Sequence, residues 1–264
     1  MEAPIGVIDS GVGGLTVVKE LLNRLPNEPI VYIGDDARCP YGPRSTQEVR
    51  KFTMEMATAL SETGIKMLVI ACNTATAVAL DEVREHFSFP VIGVIVPGAR
   101  GAVKASKTGD IAVLGTVGTI KSHAYDDAIH ALLPSATVHP LACPDFVPIV
   151  ESGLYKSENA SGIVKKGLAG LVVKDFDVAI LGCTHYPLLQ NHIQAHLPSD
   201  VQIISSAVET VSDVECILVS RNIERDDSRR VAPIFYTTGQ TEQFLSIVED
   251  WLAIDKPDVR HIIL

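Results

Sequence analysis

The sequence lacks the features of several common protein classes. Its 264 residues contain no apolar run near the roughly 18 that a membrane-spanning helix needs. The start, MEAPIGVIDS, has no basic segment before an apolar one, so we expect a cytoplasmic protein that does not enter a membrane. Lysine and arginine total 22 against 32 acidic residues, a formal charge of −10, and no basic stripe stands out. A nucleic-acid partner is therefore not expected.

The spacing of cysteine, histidine and lysine excludes further classes. The five cysteines are widely spaced and include no C-x-x-C, so neither a disulfide framework nor a zinc ribbon is predicted. The histidines show no metal-ligand spacing. The segment SGVGGLT lacks the lysine of a phosphate loop and the third glycine of a dinucleotide fingerprint. No lysine follows a predicted strand, as a pyridoxal phosphate enzyme would need. We expect no metal and no cofactor.

Short runs of Val, Ile and Leu alternate with longer amphipathic stretches. Continuous apolar strands separated by helices predict an α/β fold with mainly parallel sheets covered on both faces. The predicted strands are 5–8, 30–33, 67–70, 91–94, 111–114, 137–140, 178–181, 201–204 and 233–237. The predicted helices are 13–25, 45–63, 75–87, 120–132, 157–174, 188–197, 207–222 and 240–253.

The chain also repeats one pattern at a nearly constant separation. The matching segments are IGVIDS (5–10) with IAVLGT (111–116), and MLVIACNT (67–74) with VAILGCTH (178–185). This repeat predicts two similar α/β domains related by a pseudo-twofold axis, with the active site in the cleft between them. We expect the first domain to comprise residues 1–96 and 207–264, and the second to comprise residues 97–206.

Two cysteines end matching strands of the repeat. In open parallel sheets, ligands bind outside the carboxyl ends of the strands. Two facing domains would therefore place Cys72 and Cys183 on opposite walls of one cleft. A base on one face of a carbon and an acid on the other can remove a proton and return it with inversion. Both thiols precede predicted helices, whose N-termini would stabilise a thiolate.

Each thiol needs a neighbour that orients it. Asp9 ends an adjacent strand and is placed to serve Cys72, whereas Gly115 stands at the equivalent position of the second half. His185 is the candidate to assist Cys183, with Glu151 as a carboxylate that positions it. Hydroxyl and amide groups would bind the carboxylates of a small substrate, and the candidates are Ser10, Asn73, Thr74 and Thr184. The remaining thiols have no partner motif and are predicted to be packing or incidental residues: Cys39, Cys143 and Cys216.

Six motifs, taken in order, resemble those of glutamate racemases, in the cofactor-independent aspartate/glutamate racemase family. They are VIDSGVGGLTV, GDDARCPYGPRS, ACNTATAV, GVIVPGAR, VLGTVGTIKSHAY and LGCTHYPLL, and the resemblance runs from residue 5 to about 215. It implies an isomerase that needs no pyridoxal phosphate and interconverts L- and D-glutamate for peptidoglycan synthesis. It also implies two α/β domains, a small-molecule substrate as the partner and a homodimer.

The resemblance also implies roles for single residues. Cys72 and Cys183 match the two acid/bases, and Asp9, Glu151 and His185 match their assistants. The implied substrate contacts are Asp9, Ser10, Tyr41, Gly42, Asn73, Thr74, Thr184 and His185. One departure is Ser205, where the family usually has aspartate; we expect it to affect local structure more than chemistry.

Three other functions stay open on the sequence alone. A racemase for aspartate or hydantoins would use the same thiols with a different side-chain pocket. The sequence does not decide between these substrates, because no basic residue in the motifs identifies a γ-carboxylate. A thiol hydrolase would use Cys183 as nucleophile and His185 as base, but it leaves Cys72 without a role. In a binding module, both thiols would be packing residues and no proton would exchange.

Overall fold

The computed structural model describes residues 2–172 and 174–264, and these form ten strands and eleven α-helices. The strands are β1 (Ile5–Asp9), β2 (Ile30–Gly34), β3 (Met67–Ile70), β4 (Val91–Gly93), β5 (Asp110–Gly115), β6 (Thr137–Ala142), β7 (Val178–Gly182), β8 (Gln202–Ser205), β9 (Ile234–Thr237) and β10 (Asp258–His261).

The α-helices alternate with the strands. They are α1 (Leu15–Arg24), α2 (Thr46–Glu62), α3 (Asn73–His86), α4 (Ile95–Ala105), α5 (Val117–Lys121), α6 (Ala124–Leu132), α7 (Phe146–Glu151), α8 (Glu158–Gly167), α9 (Gln190–His196), α10 (Ser206–Arg221) and α11 (Thr241–Leu252). Of the helices in the described parts of the chain, none combines the length and the apolarity needed to cross a membrane.

The strands form two parallel sheets. One sheet has six strands in the order β10-β9-β2-β1-β3-β4, and the other has four in the order β6-β5-β7-β8. Neighbours in both sheets run parallel, so the carboxyl ends of each sheet lie at one edge. Strands β1, β3 and β7 therefore present the residues that follow them at these edges, where the predicted site residues lie.

Successive side chains of the central strands pack into different hydrophobic clusters. Val7 belongs to the cluster that the two sheets share, whereas Ile8 belongs to one on the other face of the first sheet. In β5, Leu114 packs into the shared cluster and Val113 packs on the outer face of the second sheet. Burial on both faces is the reason that these strands are continuous apolar runs.

The predicted α/β fold with two mainly parallel sheets is confirmed, whereas one predicted helix is wrong. The segment 120–132 covers the last two residues of α5 and all of α6, and the two helices are separate because His123 between them adopts a left-handed backbone with φ of 57°. The segment 157–174 is helix α8 followed by a 3-10 turn at Leu168–Leu171, and residue 173 lies outside the described residues. The segment 188–197 begins inside a 3-10 turn, Tyr186–Leu189, whose first turn contains Pro187.

Helix α4 was not predicted, because its sequence IVPGARGAVKA contains residues that usually end helices. Its glycines let another helix approach closely. A Cβ added at Gly101 would lie 2.6 Å from Cγ of Glu209, and one at Gly98 would lie 3.1 Å from Cβ of Ser206. Both of these neighbours belong to α10, so α4 and α10 pack with little space between their backbones.

The division of the chain into domains stays a prediction. The six-stranded sheet takes its strands from residues 5–93 and 234–261, and the four-stranded sheet takes its strands from residues 110–205. Helix α10 packs against α1 and α4. Its contact with α1 includes the ion pair between Arg24 and Glu215.

Candidate active site

A small cavity lies where the carboxyl ends of the two sheets meet. Its volume is about 20 Å³, which is close to the space that one water molecule needs. Most of the predicted site residues line it: Ser10, Tyr41, Gly42, Cys72, Asn73, Thr74, Cys183, Thr184 and His185. The other two predicted residues, Asp9 and Glu151, contact lining residues from behind.

Cys72 lies two residues after the end of β3 and caps the N-terminus of α3. Its Sγ accepts a hydrogen bond from the backbone N–H of Ala75 at 3.4 Å. Burial and the nearby carboxylate of Asp9 nevertheless raise the pKa of the Cys72 thiol to about 12, against the opposing effect of the Ala75 N–H. The helix N-terminus that the sequence predicted is present, but it does not by itself make Cys72 a thiolate.

Cys183 follows β7 and lies beside an imidazole that a carboxylate supports. The Sγ of Cys183 is 3.8 Å from Nδ1 of His185, and Nε2 of His185 is 3.2 Å from Oε1 of Glu151. Burial alone would lower the pKa of His185, but its bonds to Cys183 and Glu151 outweigh burial and raise the pKa to about 10. The imidazole is therefore protonated near neutral pH and places a cation beside Sγ of Cys183.

Glu151 has a second partner that the sequence analysis missed. The thiol of Cys39 donates to Oε1 of Glu151 at 3.0 Å and also lines the cavity. The prediction that Cys39 is a packing or incidental residue is therefore wrong. Although burial alone would raise the pKa of Glu151, its hydrogen bonds with His185 and Cys39 lower it, so the carboxylate is charged.

Asp9 connects the first sheet to the motif of the second. It is fully buried and accepts hydrogen bonds from the N–H of Gly11 at 3.1 Å and from Oγ1 of Thr184 at 3.2 Å. Burial raises the pKa of Asp9, and the charge of His185 opposes that rise. The turn after β1 must pass close to the second motif, because a Cβ added at Gly13 would lie 2.3 Å from Oγ1 of Thr184.

Three threonine hydroxyls form a cluster at one wall of the cavity. Oγ1 of Thr74 lies 2.9 Å from Oγ1 of Thr116 and 3.2 Å from Oγ1 of Thr119, and the latter two are 3.0 Å apart. Of these three threonines, only Thr74 is predicted from the sequence to be a site residue. Thr74 is more than 40 residues from Thr116 and Thr119, so no local sequence pattern indicates that their side chains meet. Thr116 and Thr119 both lie in the motif VLGTVGTIKSHAY.

The loop that carries Tyr41 and Gly42 is held by a buried carboxylate. The Tyr41 hydroxyl donates to Oδ2 of Asp35, which also accepts from Nε of Arg38 at 2.7 Å. A Cβ added at Gly42 would lie 2.9 Å from Cβ of Thr116, so this loop presses against the second half of the chain. Asp35 is not among the residues predicted from the sequence, although it lies two residues after the predicted strand 30–33.

Within residues 2–172 and 174–264, no group of three or more His, Cys, Asp or Glu side chains is arranged to hold a metal ion.

Comparison with known proteins identifies the family. Residues 5–214 match the family model for Asp/Glu/hydantoin racemases, which is most of the chain. This chain belongs to the Asp/Glu/hydantoin racemase family. Among related racemases, the glutamate racemase of Lysinibacillus sphaericus is 55% identical over the full length of both chains.

Solved structures of racemases have the same fold. A glutamate racemase from Bacillus anthracis is 47% identical with a TM-score of 0.96, over 99% of this chain and 98% of that one. A glutamate racemase from Francisella tularensis, solved in complex with D-glutamate, is 34% identical with a TM-score of 0.92 over the same shares.

Ser205, where the resemblance leads one to expect aspartate, lies outside the cavity. Ser205 ends β8 and is the N-cap residue of α10, where its side chain makes no capping hydrogen bond. It is not among the residues that line the cavity. Its effect on the chemistry stays a prediction.

Proposed function

We propose that the chain interconverts L- and D-glutamate by proton transfer at Cα between two thiols, and so supplies D-glutamate for peptidoglycan synthesis. The observation that carries this proposal is that Cys72 and Cys183, from equivalent strands of two sheets, line one cavity. The glutamate racemase of Lysinibacillus sphaericus, 55% identical, supports glutamate as the substrate, as does the Francisella tularensis enzyme solved with D-glutamate.

The two thiols have different resting states in this scheme. In the scheme that we propose, Cys183 beside the His185 imidazolium begins as the base, whereas burial and Asp9 keep Cys72 protonated with its pKa of about 12. One reaction direction then begins with the Cys183 thiolate removing the Cα proton on its face. Cys72 delivers its own proton to the opposite face, which inverts the centre. The products are the other enantiomer, a thiol at Cys183 and a thiolate at Cys72, from which the reverse reaction starts.

Hydroxyl and amide groups around the thiols would bind the two substrate carboxylates. We assign this role to Ser10, Tyr41, Gly42, Asn73, Thr74, Thr184 and His185, which line the cavity. The predicted contact of Asp9 with the substrate stays a prediction, because Asp9 lies behind Thr184. Because the cavity measures about 20 Å³, an amino acid does not fit without an opening of the cleft. We infer that the two halves of the chain separate to admit the substrate and close again around it.

A substrate panel tests the proposal. Purified protein is given L-glutamate, L-aspartate or a 5-substituted hydantoin with no added cofactor, and optical rotation is followed. Glutamate is expected to lose its rotation fastest. Preferential racemisation of aspartate or a hydantoin would replace the substrate, and no reaction with any of the three would overturn the function.

Variants of the thiols separate racemisation from a thiol hydrolase. Cys72→Ala and Cys183→Ala should each lower racemisation in both directions by about 1,000-fold or more, while the fold is kept. Cys216→Ala is the control, because that thiol is exposed on α10. A hydrolase would keep full activity without Cys72, so that result would overturn the scheme.

The assembly and location of the protein are further proposals that rest on the family resemblance. We propose a homodimer in the cytoplasm, with each protomer divided into the two domains expected from the sequence repeat. Sedimentation velocity at working concentration tests the dimer, and a single monomeric species would exclude it.

A further inference from the structure

The side chain of Asn73 has one group satisfied and one group unpaired. Its Oδ1 lies 2.8 Å from the hydroxyl of Tyr125, and only 2% of the residue is exposed. Its Nδ2 is also buried, yet no residue in the described ranges is a hydrogen-bond partner for it. A buried N–H group without a partner costs free energy, so such a group at a cavity wall indicates a ligand that accepts hydrogen bonds.

Tyr125 reaches Asn73 from the other half of the chain. It lies on α6, is only 1% exposed, and its hydroxyl crosses to the first residue of α3. Two glycines leave room for it. A Cβ added at Gly98 would lie 3.2 Å from the Tyr125 hydroxyl, and one at Gly182 would lie 3.0 Å from the ring atom Cε2.

The Tyr125 hydroxyl is the donor in its bond with Asn73. Burial raises the pKa of Tyr125, so the phenol keeps its proton. That proton goes to Oδ1 of Asn73. The bond therefore orients the Asn73 amide so that its NH₂ group carries the unpaired donors.

We propose that Tyr125 is a positioning residue that holds the Asn73 carboxamide so that Nδ2 donates to a carboxylate of the substrate. The identity of that substrate as glutamate rests on the proposed function. The inference adds a residue from the second half of the chain that acts on substrate binding without contacting the reacting carbon. Closure of the two halves then also completes the carboxylate site, because Tyr125 and Asn73 come from different halves.

Replacing the phenol by phenylalanine removes one atom and keeps the ring in its slot. In Tyr125→Phe the Asn73 amide is free to turn, and the carboxylate loses an oriented donor. Loss of a hydrogen bond to a charged group should raise KM by about 10-fold. We expect kcat to stay within about threefold of that of the unmodified enzyme. Both enantiomers should show the rise, since both carry the carboxylate.

Tyr155→Phe is the matched control. Its hydroxyl also makes a hydrogen bond, 3.0 Å to Oδ2 of Asp250, but Asp250 lies on α11 rather than at the cavity. This variant should keep KM unchanged. Thermal unfolding of both variants separates a loss of stability from a loss of binding.

A double-variant cycle tests whether Tyr125 acts through Asn73. Adding Tyr125→Phe to Asn73→Ala should change KM by less than about twofold, because the group that Tyr125 positions is already absent. A further 10-fold rise in the double variant would overturn the proposal. An unchanged KM in Tyr125→Phe alone, or a loss confined to kcat, would overturn it as well.

A second variant keeps the test decisive if Tyr125→Phe does not fold. Asn73→Asp keeps an acceptor for Tyr125 but replaces the NH₂ group by a second oxygen, so KM should rise by about 100-fold. An unchanged KM in this variant would show that Nδ2 binds no carboxylate. Failure of the proposed function is distinguishable, because the unmodified protein would then not racemise glutamate at all.

Discussion

Glu151→Gln tests how the charged imidazole supports Cys183. The substitution keeps the size of the side chain but removes the charge that Nε2 of His185 contacts at 3.2 Å. A hydrogen bond to a charged group contributes about 1.5 kcal/mol, which corresponds to about one unit in the pKa of His185. We therefore expect the pKa of His185 to fall from about 10 towards 9.

The sign of the effect on activity follows from which form of His185 is active. In the proposed scheme the imidazolium is the form of His185 that assists Cys183, and it exists only below its pKa. Activity is therefore lost as the pH rises through the pKa of His185. In Glu151→Gln the alkaline limb of kcat/KM should move down by about one pH unit. Near pH 8 the variant should keep a third or more of its activity, because His185 is still protonated there. The defect should grow to about 10-fold above pH 10.

The assay is circular dichroism of glutamate interconversion, with kcat/KM measured from pH 7 to pH 11. Glu215→Gln is the control, because its side chain has 30% exposure against 32% for Glu151 and pairs with Arg24 away from the cavity. Its pH profile should match that of the unmodified protein. A loss in Glu151→Gln that is equal at every pH, or a limb that does not move, would refute the role given to the His185–Glu151 pair.

For three further substitutions, the packing around the residue determines whether activity or stability rises or falls. Gly13→Ala places a methyl group 2.3 Å from Oγ1 of Thr184, so racemisation should fall by 100-fold or more, in the range of a misplaced catalytic group. Gly162→Ala meets no described atom within 4 Å in the exposed middle of α8, so denaturant unfolding should show a gain of about 0.5–1 kcal/mol with unchanged activity. Lys66→Met leaves the buried Glu28 without its ion-pair partner, so the free energy of unfolding should fall by about 3–5 kcal/mol; a loss below 1 kcal/mol would contradict that pairing.

The strands were predictable because their burial is visible in the sequence. The runs IGVI, IVYI and MLVI are apolar at every position because both faces of the first sheet are covered. The edge strand β10 was missed because it reads DVRH and is mostly exposed, so it carries no apolar run. Helix α7 was missed as well, since it is six residues long and contains Pro148.

Glycine caused the largest error in the helices. In α4 the glycines are not helix breakers but contact residues, since Gly101 allows α10 to approach. The opposite occurs at His123, which follows a good helix pattern yet adopts a left-handed backbone and divides α5 from α6. A single sequence gives no signal for either, because both depend on what packs nearby.

Candidate site residues were predictable where they lie within two residues of the end of a strand. Cys72 and Cys183 share a position in the repeat, and parallel sheets bring such positions to one edge. Residues that act from behind were not predictable. Tyr125 forms a hydrogen bond with Asn73, and Asp35 forms one with Tyr41. Both bonds exist only in the folded chain.

The central claim is that one thiol removes the Cα proton from one face of glutamate while the other thiol donates its own proton to the opposite face. It is tested most directly by placing L-glutamate with the protein in D₂O and stopping the reaction after a small conversion. Both thiols exchange with solvent before reaction, so the acid that serves the opposite face carries deuterium. The account predicts deuterium at Cα of the D-glutamate formed and almost none in the remaining L-glutamate, because the base returns the protium that it removed. Product that keeps its Cα protium would indicate a single base and would contradict the account.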